Sequence, residues 1–417
     1  MAVVPQRLRV LFVNRYYAPD LSASSQMLTD LAEGLASSGV EVSVVCSRQL
    51  YEDPAAALPA QQVIRGVRVW RVRTARFGRA NLAGRALDYA TFYLAATAAL
   101  LRHARDCDVL IAKTDPPLLS LIGSFVARRR RVAHINWLQD VFPEIASRLA
   151  VAPLPRQLES RLAAWRDRSL ASAETNVVLG TRMRDYLAAR GVPRQRLTIS
   201  ENWANEESIE RRAVTASALR HGLALDGRFV VCYSGNLGRA HDVQTLLAAA
   251  QALRADPRTV FLLIGGGANM RTLERAARQA GLTQMRFLPY QPRAQLSDSL
   301  AAADVHLVML LPQLEGLIVP SKLYGVLAAG RPVIFIGDPD GELAQLIRDS
   351  EIGSTVACGD ADGLCRALRA LREDPAGRER MGMRARALFE ERYTLARSLE
   401  RWRSLLIEAA ARHRVTA

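Results

Sequence analysis

Of the 56 basic side chains in this sequence, only Lys113 and Lys322 are lysines; all the others are arginine. A chain that has replaced lysine wherever arginine serves keeps one where a compact, flexible ammonium is needed, for instance against a phosphate. Lys322 follows Pro320 and Ser321 in the run PSKLYGVLAAGRPVIFI, residues 320–336. Ser321 has the chemistry of a helix cap, and the free N–H groups of a first helical turn favour an anion. Leu323, Val326 and Leu327 then repeat at helical spacing, Gly330 stops the helix, and Val333 to Ile336 reads as a buried strand. A loop, a lysine at a helix start and a buried strand together compose a phosphate-binding corner of an α/β domain. A chance lysine on an ordinary helix is the alternative reading of the segment taken alone.

Further loops carry related chemistry. In Ser234-Gly235-Asn236-Leu237-Gly238-Arg239, two glycines allow close backbone approach and Arg239 can pair with phosphate. Gly265-Gly266-Gly267 follows an apolar run, although a plain tight turn is the more frequent explanation of a lone glycine triplet. Pro289-Tyr290-Gln291 offers an aromatic that could stack on a base, and Glu315 opens the loop that leads to Lys322. Earlier in the chain, Gln139, Asp140 and Glu144 lie on one loop, where both acids could equally cap the local turn and helix. No GxGxxG stands in the first strand-to-helix turn, where Val13-Asn14-Arg15-Tyr16 has no glycine, and this argues against a nicotinamide enzyme. Asp338-Pro339-Asp340 has the spelling of an acidic metal site, but its proline and Gly341 read as a surface turn. The five cysteines contain no CxxC, so neither disulfides nor structural zinc is expected.

The elements that must position these loops alternate along the whole chain. Strands are predicted at 8–13, 40–46, 108–112, 132–137, 174–179 and 197–200, with a β pair turning at Gly66. Helices are predicted between them, at 24–38, 82–105 and 116–129. A second set of strands follows at 229–233, 260–264, 285–288, 305–310, 333–336 and 355–357. Strands separated by helices imply parallel sheets with right-handed crossovers. A length of 417 residues exceeds one ordinary core, so two Rossmann-like domains are expected, 1–205 and 206–390, followed by a helical tail at 391–417 that packs back on the first domain. Functional loops then fall at the carboxyl ends of strands, facing a cleft between the domains. No secretory signal and no membrane span are predicted, and the protein is expected in the cytosol. The net charge of +15 fits nucleic acid, an anionic membrane surface or simple arginine drift. Basic residues are not interleaved with aromatics as in single-strand platforms, which leaves the membrane as the better functional reading.

At this point the chain resembles glycosyltransferase family 4, retaining enzymes of the GT-B fold, and especially the bacterial transferases of O-antigen, capsule and exopolysaccharide assembly. The resemblance spans nearly the full length. It is carried by YYAPDLSASSQMLTDLAEGLASSGVEVSVV, TDPPLLSLIG, NWLQDVFPE, NWAN, YSGNLGRAHD, FLLIGGG, FLPYQP, AAADVHLVML and, most specifically, VPSKLYGVLAAGRPVI. Some positions depart from the family pattern. The usual pair of glutamates falls at Leu317 and Gly325, the phosphate signature reads Gly235-Asn236-Leu237 with His241-Asp242, and the first-domain His-Asp pair reads Gln139-Asp140.

The resemblance implies a nucleoside-diphosphate-sugar donor, a UDP-sugar being expected, and retaining transfer to a hydroxyl of a lipid-diphosphate-linked or saccharide acceptor. It implies no cofactor and no metal, since fixed cations and backbone N–H groups can stabilise the departing diphosphate. Lys322, Arg239, Asp140, Glu144 and Glu315 are the expected catalytic set. Gly235, Asn236, Gly238, Gly265, Gly267, Pro289, Tyr290, Val319, Pro320, Ser321 and Leu323 are expected around the donor. Gln139, Ser24 and Ser25 are expected on the acceptor side. The helix from Leu82 with Leu87, Tyr89, Phe92, Tyr93, Leu94, Leu100 and Leu101, together with Arg65, Arg68, Arg71, Arg73, Arg76 and Arg79, is expected to meet an anionic leaflet at the inner face of the cytoplasmic membrane. A GT-B-type sugar-nucleotide epimerase and a basic nucleic-acid-binding protein are the alternatives.

Overall fold

The computed structural model describes residues 8–53, 55–77, 82–151 and 155–416, and Arg79 lies outside them. Among the described residues the apolar runs form fourteen strands in two sheets. The first sheet holds β1 (Arg9–Val13), β2 (Glu41–Ser47), β3 (Gln61–Ile64), β4 (Val67–Val72), β5 (Val109–Lys113), β6 (Ala133–Trp137), β7 (Thr175–Val178) and β8 (Leu197–Ile199). Its order is β3-β4-β2-β1-β5-β6-β7-β8, and all pairs are parallel except β3 with β4. That hairpin turns at Arg65-Gly66, both with positive φ (44° and 84°), the conformation a two-residue hairpin loop requires.

The second sheet holds β9 (Phe229–Asn236), β10 (Thr259–Gly266), β11 (Met285–Leu288), β12 (Val305–Met309), β13 (Val333–Gly337) and β14 (Gly353–Ala357). Its order, β11-β10-β9-β12-β13-β14, is that of a dinucleotide-type doubly wound sheet. Strand order reverses between β9 and β12 here, and between β1 and β5 in the first sheet. Loops leaving the carboxyl ends at those two places diverge to opposite faces and open a crevice in each unit. The central strands β1, β5, β6, β12 and β13 are almost wholly buried, as strands covered on both faces must be.

Two compact units result: 1–201 with 316–319 and 398–417, and 202–315 with 320–397. The sequence divides instead at 205/206 and 390/391. The polar stretch 202–227 belongs to the second unit and includes the short helix Ala218–Gly222, capped by Ser217. In the first unit, Trp402 of the last helix (Leu395–Thr416) is buried and meets Trp137 of β6 edge-on at 5.0 Å. Gly34 lets the same helix approach closely, because a Cβ there would lie 2.6 Å from Leu399 Cδ1. Helix ends also differ from the sequence expectation. The helix Leu82–His103 tightens into a 3₁₀ turn at Ala104–Asp106, and the helix expected from 116 starts at Leu119, after a cis Asp115-Pro116 bond.

The long helix sorts its apolar residues. Phe92 and Leu100 are core, Tyr93 bonds the Pro117 carbonyl, and Tyr93 and Leu101 pack partly buried against the core. Leu87 and Leu94 are exposed, as is Phe77 in the preceding loop. The arginine cluster sorts as well. Arg65 pairs with Glu33 and Arg68 with Glu41. Arg71 is buried and donates to the carbonyls of Ala18 and Pro59 and to Gln62 Oε1. Burial removes Arg71 from any membrane-facing set and the Glu41 pair commits Arg68, which leaves Arg73 and Arg76.

Candidate active site

In the second unit, β9 and β10 pair up to their last residues, Gly265 with Gly235 and Gly266 with Asn236. Glycine is required there. Gly235 and Gly265 have φ of +128° and +127°, and a Cβ on Gly265 would sit 2.2 Å from the Gly235 carbonyl oxygen. On Gly267, φ +115°, it would sit 2.4 Å from Asn236 Oδ1. The two loops are locked by Leu237 N–H to Gly266 O (2.7 Å) and Asn269 N–H to Leu237 O (2.9 Å). Asn269 Nδ2 adds a bond to Gly238 O at 3.1 Å. Tyr290, exposed, lays its ring edge 3.0 Å from where a Gly266 Cβ would be. Backbone polar groups and an aromatic face are thus held on one small surface at the strand-order reversal.

Lys322 reaches over this surface. Its Cε lies 2.7 Å from where a Gly235 Cβ would stand, so the lysine stem runs through space that only glycine leaves free. Nζ donates to Asn236 O at 3.2 Å and stands 5.1 Å from the ring centre of Tyr233, whose hydroxyl donates to the same carbonyl at 2.7 Å. An ammonium has three donors, and this leaves two for a ligand. Burial lowers the Lys322 pKa to about 8. His241 stacks edge-on to Tyr233 at 5.7 Å, and burial, then the Lys322 charge, pushes its pKa down to about 4. It is therefore neutral, with the proton on Nδ1 facing Gly238 O at 3.0 Å.

Several expected donor contacts stand differently. Ser321 has helical dihedrals (φ −64°, ψ −17°) and makes no capping bond, so Lys322–Ala328, a short helix, offers no capped N-terminal anion site; the lysine itself supplies the charge. Leu323 is wholly buried core beneath the corner, and Pro320 is buried too. Val319 packs in the first unit with Leu317 and Leu138. Glu315 Oε1 accepts from the Glu342 N–H at 2.8 Å, at the start of the helix Glu342–Asp349. Pro289 is exposed beside Tyr290. Arg239 is exposed on the Gly235–Gly238 loop and has no carboxylate partner among the described residues.

The first unit has a second polar cluster at its own reversal point. Lys113, the last residue of β5, is fully buried; Nζ donates to Ser24 O at 2.6 Å and lies 4.3 Å from the Trp137 ring centre. Burial lowers its pKa to about 7 against the pull of Asp115 and Asp140. Asp140 moves the other way, to about 6, through burial and then the Asp115 charge. One Asp140 oxygen, Oδ1, is enclosed with no hydrogen bond. Ser24 Oγ donates to Asp115 at 3.2 Å, Ser25 Oγ is enclosed without a partner, and the Gln139 N–H meets Thr114 Oγ1 at 3.2 Å. Glu144 departs from its expected role. It is buried and clamped by Arg166 (Nη2 to Oε1, 2.9 Å, and Nη1 to Oε2, 2.5 Å), with Tyr186 OH donating at 3.0 Å. Burial alone would raise its pKa, but Arg166 outweighs that and holds it below the usual carboxylate range. Glu144 is a strut between helices.

Sequence reasoning missed Lys113 and Asp115 as site residues, although Lys113 was visible as the only other lysine. It also missed Tyr233 and Asn269, for which no local signal exists.

Comparison with known proteins finds two family models and several relatives that match this chain. Residues 23–203 match the family model "Glycosyl transferase 4-like domain", and residues 218–388 match "Glycosyl transferases group 1". The putative colanic acid biosynthesis glycosyl transferase WcaI of Escherichia coli K12 is 25% identical over 359 residues, 81% of this chain and 86% of that protein. Sucrose-phosphate synthase from Thermosynechococcus elongatus shares the fold with a TM-score of 0.77 at 18% identity, covering 97% of this chain and 100% of its own. HepE of Anabaena, solved with UDP and glucose, superposes with a TM-score of 0.71 at 16% identity, over 96% of this chain and 100% of its own.

Proposed function

We propose, for a chain that belongs to the family 4 glycosyltransferases of GT-B fold, that it transfers a sugar from a UDP-sugar, with retention, to a hydroxyl of a lipid-linked or saccharide acceptor in cell-surface polysaccharide synthesis. The observation that carries the reading is the Lys322 corner: an ammonium with two unused donors, laid across two glycine loops at the strand-order reversal. In the reaction the bond between the anomeric carbon and the diphosphate breaks, and negative charge grows on the leaving oxygens. Donors already fixed in place stabilise that charge without reorganising. Lys322 is the first of these, Arg239 the second, and the N–H groups of the Gly235–Gly238 loop the rest. In this reading Tyr290, exposed beside the glycine loops, covers the base. A fixed cation makes a metal unnecessary, and we assign no metal or cofactor. Asp140 is the acceptor-side carboxylate. HepE, solved with UDP and glucose, and WcaI, named for colanic acid biosynthesis, support the choice of donor and pathway class. Exposed Phe77, Leu87 and Leu94 near Arg73 and Arg76 support a peripheral position on an anionic leaflet, on the cytoplasmic side.

A thermal-shift panel of UDP-, GDP- and dTDP-sugars, run in EDTA, tests the reading, because a bound donor raises the melting temperature by mass action. UDP-sugars should shift it most. The acceptor product's anomeric configuration by NMR then tests retention. No shift with any nucleotide sugar would overturn the proposal.

A further inference from the structure

We propose that the first unit carries a separate pocket for a diphosphate, built by Arg48, Arg73 and Arg76. These three side chains, with Gln49 and Thr74, line a cavity of about 330 Å³ at the carboxyl ends of β2 and β4. That is the small end of ligand-pocket sizes, room for a diphosphate and its waters rather than for a whole nucleotide sugar.

The sheet assembles the pocket from distant sequence. β2 and β4 are neighbours in register, Ser47 opposite Val72, so the residues following each strand emerge side by side. The Arg48 N–H donates to Val72 O at 3.1 Å. Buried Gln49 clamps the second segment, its Nε2 donating to Ala75 O at 2.7 Å, and Ala75 N–H in turn meets Thr91 Oγ1 at 3.0 Å. Arg48 Nε is held by Leu58 O at 2.6 Å, and one Arg76 terminal nitrogen by Ala55 O at 3.3 Å. Each anchor uses one donor of a five-donor fork, and the remaining donors of Arg48 and Arg76 have no protein acceptor among the described residues.

The charge is what remains unexplained by the fold. The neighbours in sequence, Arg65 and Arg68, each have a glutamate, and Arg71 is spent on carbonyls. Among the described residues, none of Arg48, Arg73 and Arg76 pairs with a carboxylate. Asp53, on the adjoining loop, turns its Oδ1 to the N–H groups of Ala55 and Ala56 instead. Three arginines lining one cavity, with no carboxylate partner among the described residues, leave a concentration of positive charge that an anion would neutralise. A carboxylate would neutralise only one of them. A diphosphate matches both the charge and the planar, paired donors of arginine.

The source follows from position, and in this step the inference rests on the glycosyltransferase reading. The pocket lies on the same sheet edge as Lys113 and Asp140, two to four strand spacings away, roughly 10–19 Å. A diphosphate held there leaves the rest of the molecule free to run along the edge toward Asp140. This fits a lipid-diphosphate acceptor, whereas the donor's own diphosphate belongs at Lys322.

The test is calorimetric titration of the full chain, saturated with UDP, with inorganic pyrophosphate and with geranyl diphosphate, a soluble prenyl diphosphate. Wild type should bind both, and Arg73→Ser with Arg76→Ser should weaken both at least about tenfold while UDP affinity stays unchanged. Replacement of the same two by lysine, which keeps the charge and loses the fork, should fall between. Tighter binding of geranyl diphosphate assigns the pocket to a lipid-linked acceptor, and equal binding assigns it to the diphosphate alone. If the wild type binds neither probe, or the serine double variant binds them as well as wild type, the pocket assignment is wrong. Should UDP itself fail to bind, the glycosyltransferase reading fails, and the pyrophosphate comparison without UDP still decides the pocket.

Discussion

Replacing Lys322 by alanine removes the one ammonium poised over the Gly235 and Gly265 loops. A charge about 4 Å from a diphosphate oxygen interacts by roughly 4 kcal/mol at the effective dielectric of a partly screened site. Removal of one preorganised donor costs about 2.7–4 kcal/mol in rate in comparable sites. The two figures converge on a loss of about 100-fold or more in kcat/KM for the donor, with the fold intact. The same lysine gives a second, sharper readout. Its pKa in the free protein is lowered to about 8 by burial, so kcat/KM should fall as pH rises above that value. By pH 9.5 only about 3% of an ammonium with that pKa is left, a decline of about thirtyfold. Stability should move oppositely. Between about 8 and the ordinary lysine value of 10.5 the unfolded chain binds the extra proton, so unfolding becomes less favourable as pH rises through that window. Lys322→Arg, charged throughout, should lose the alkaline decline even if its plateau is lower. Steady-state kinetics from pH 6.5 to 9.5, with donor turnover as the signal, measures all of this. Wild-type turnover in Lys322→Ala, or a flat wild-type profile to pH 9.5, would refute the assignment.

Gly235→Ala keeps the Lys322 side chain but sets a methyl 2.7 Å from its Cε at a φ of +128°, which forces the lysine stem aside, so donor affinity should drop at least about tenfold by titration with UDP. Unchanged UDP affinity would show that the lysine's path is unimportant. Glu144→Gln breaks one of the two ion pairs of buried Arg166, which keeps Asp167, and the unfolding free energy in urea should fall by about 1.5–3 kcal/mol. A small change there, together with lost turnover, would restore Glu144 to the chemistry. Anionic vesicles should retain the protein at low salt, less so after Leu87→Ser with Leu94→Ser, and equal retention on neutral vesicles would contradict the membrane-surface reading.

Residue type alone located the strands, because a strand covered on both faces is a short continuous apolar run, and the runs at β9, β10, β12 and β13 are too short and too rich in Val, Ile and Phe for buried helices. It also marked Gly235, Gly265 and Lys322, since positive φ and one of only two lysines in an arginine-rich chain leave a trace in residue type alone. Other assignments needed the tertiary structure. Glu144 resembles a site acid until Arg166, 22 residues later, is seen to clamp it. Ser321 has the type of a cap but sits already inside the helical turn. Glu315 finds its partner across 27 residues at Glu342. Nothing local joins Arg48 to Arg73 and Arg76, or sets Lys113 beside Ser24. Those neighbours are fixed by sheet order and register, which depend on how distant apolar strands pack together, whereas residue type and spacing speak only for the chain within a few residues of itself.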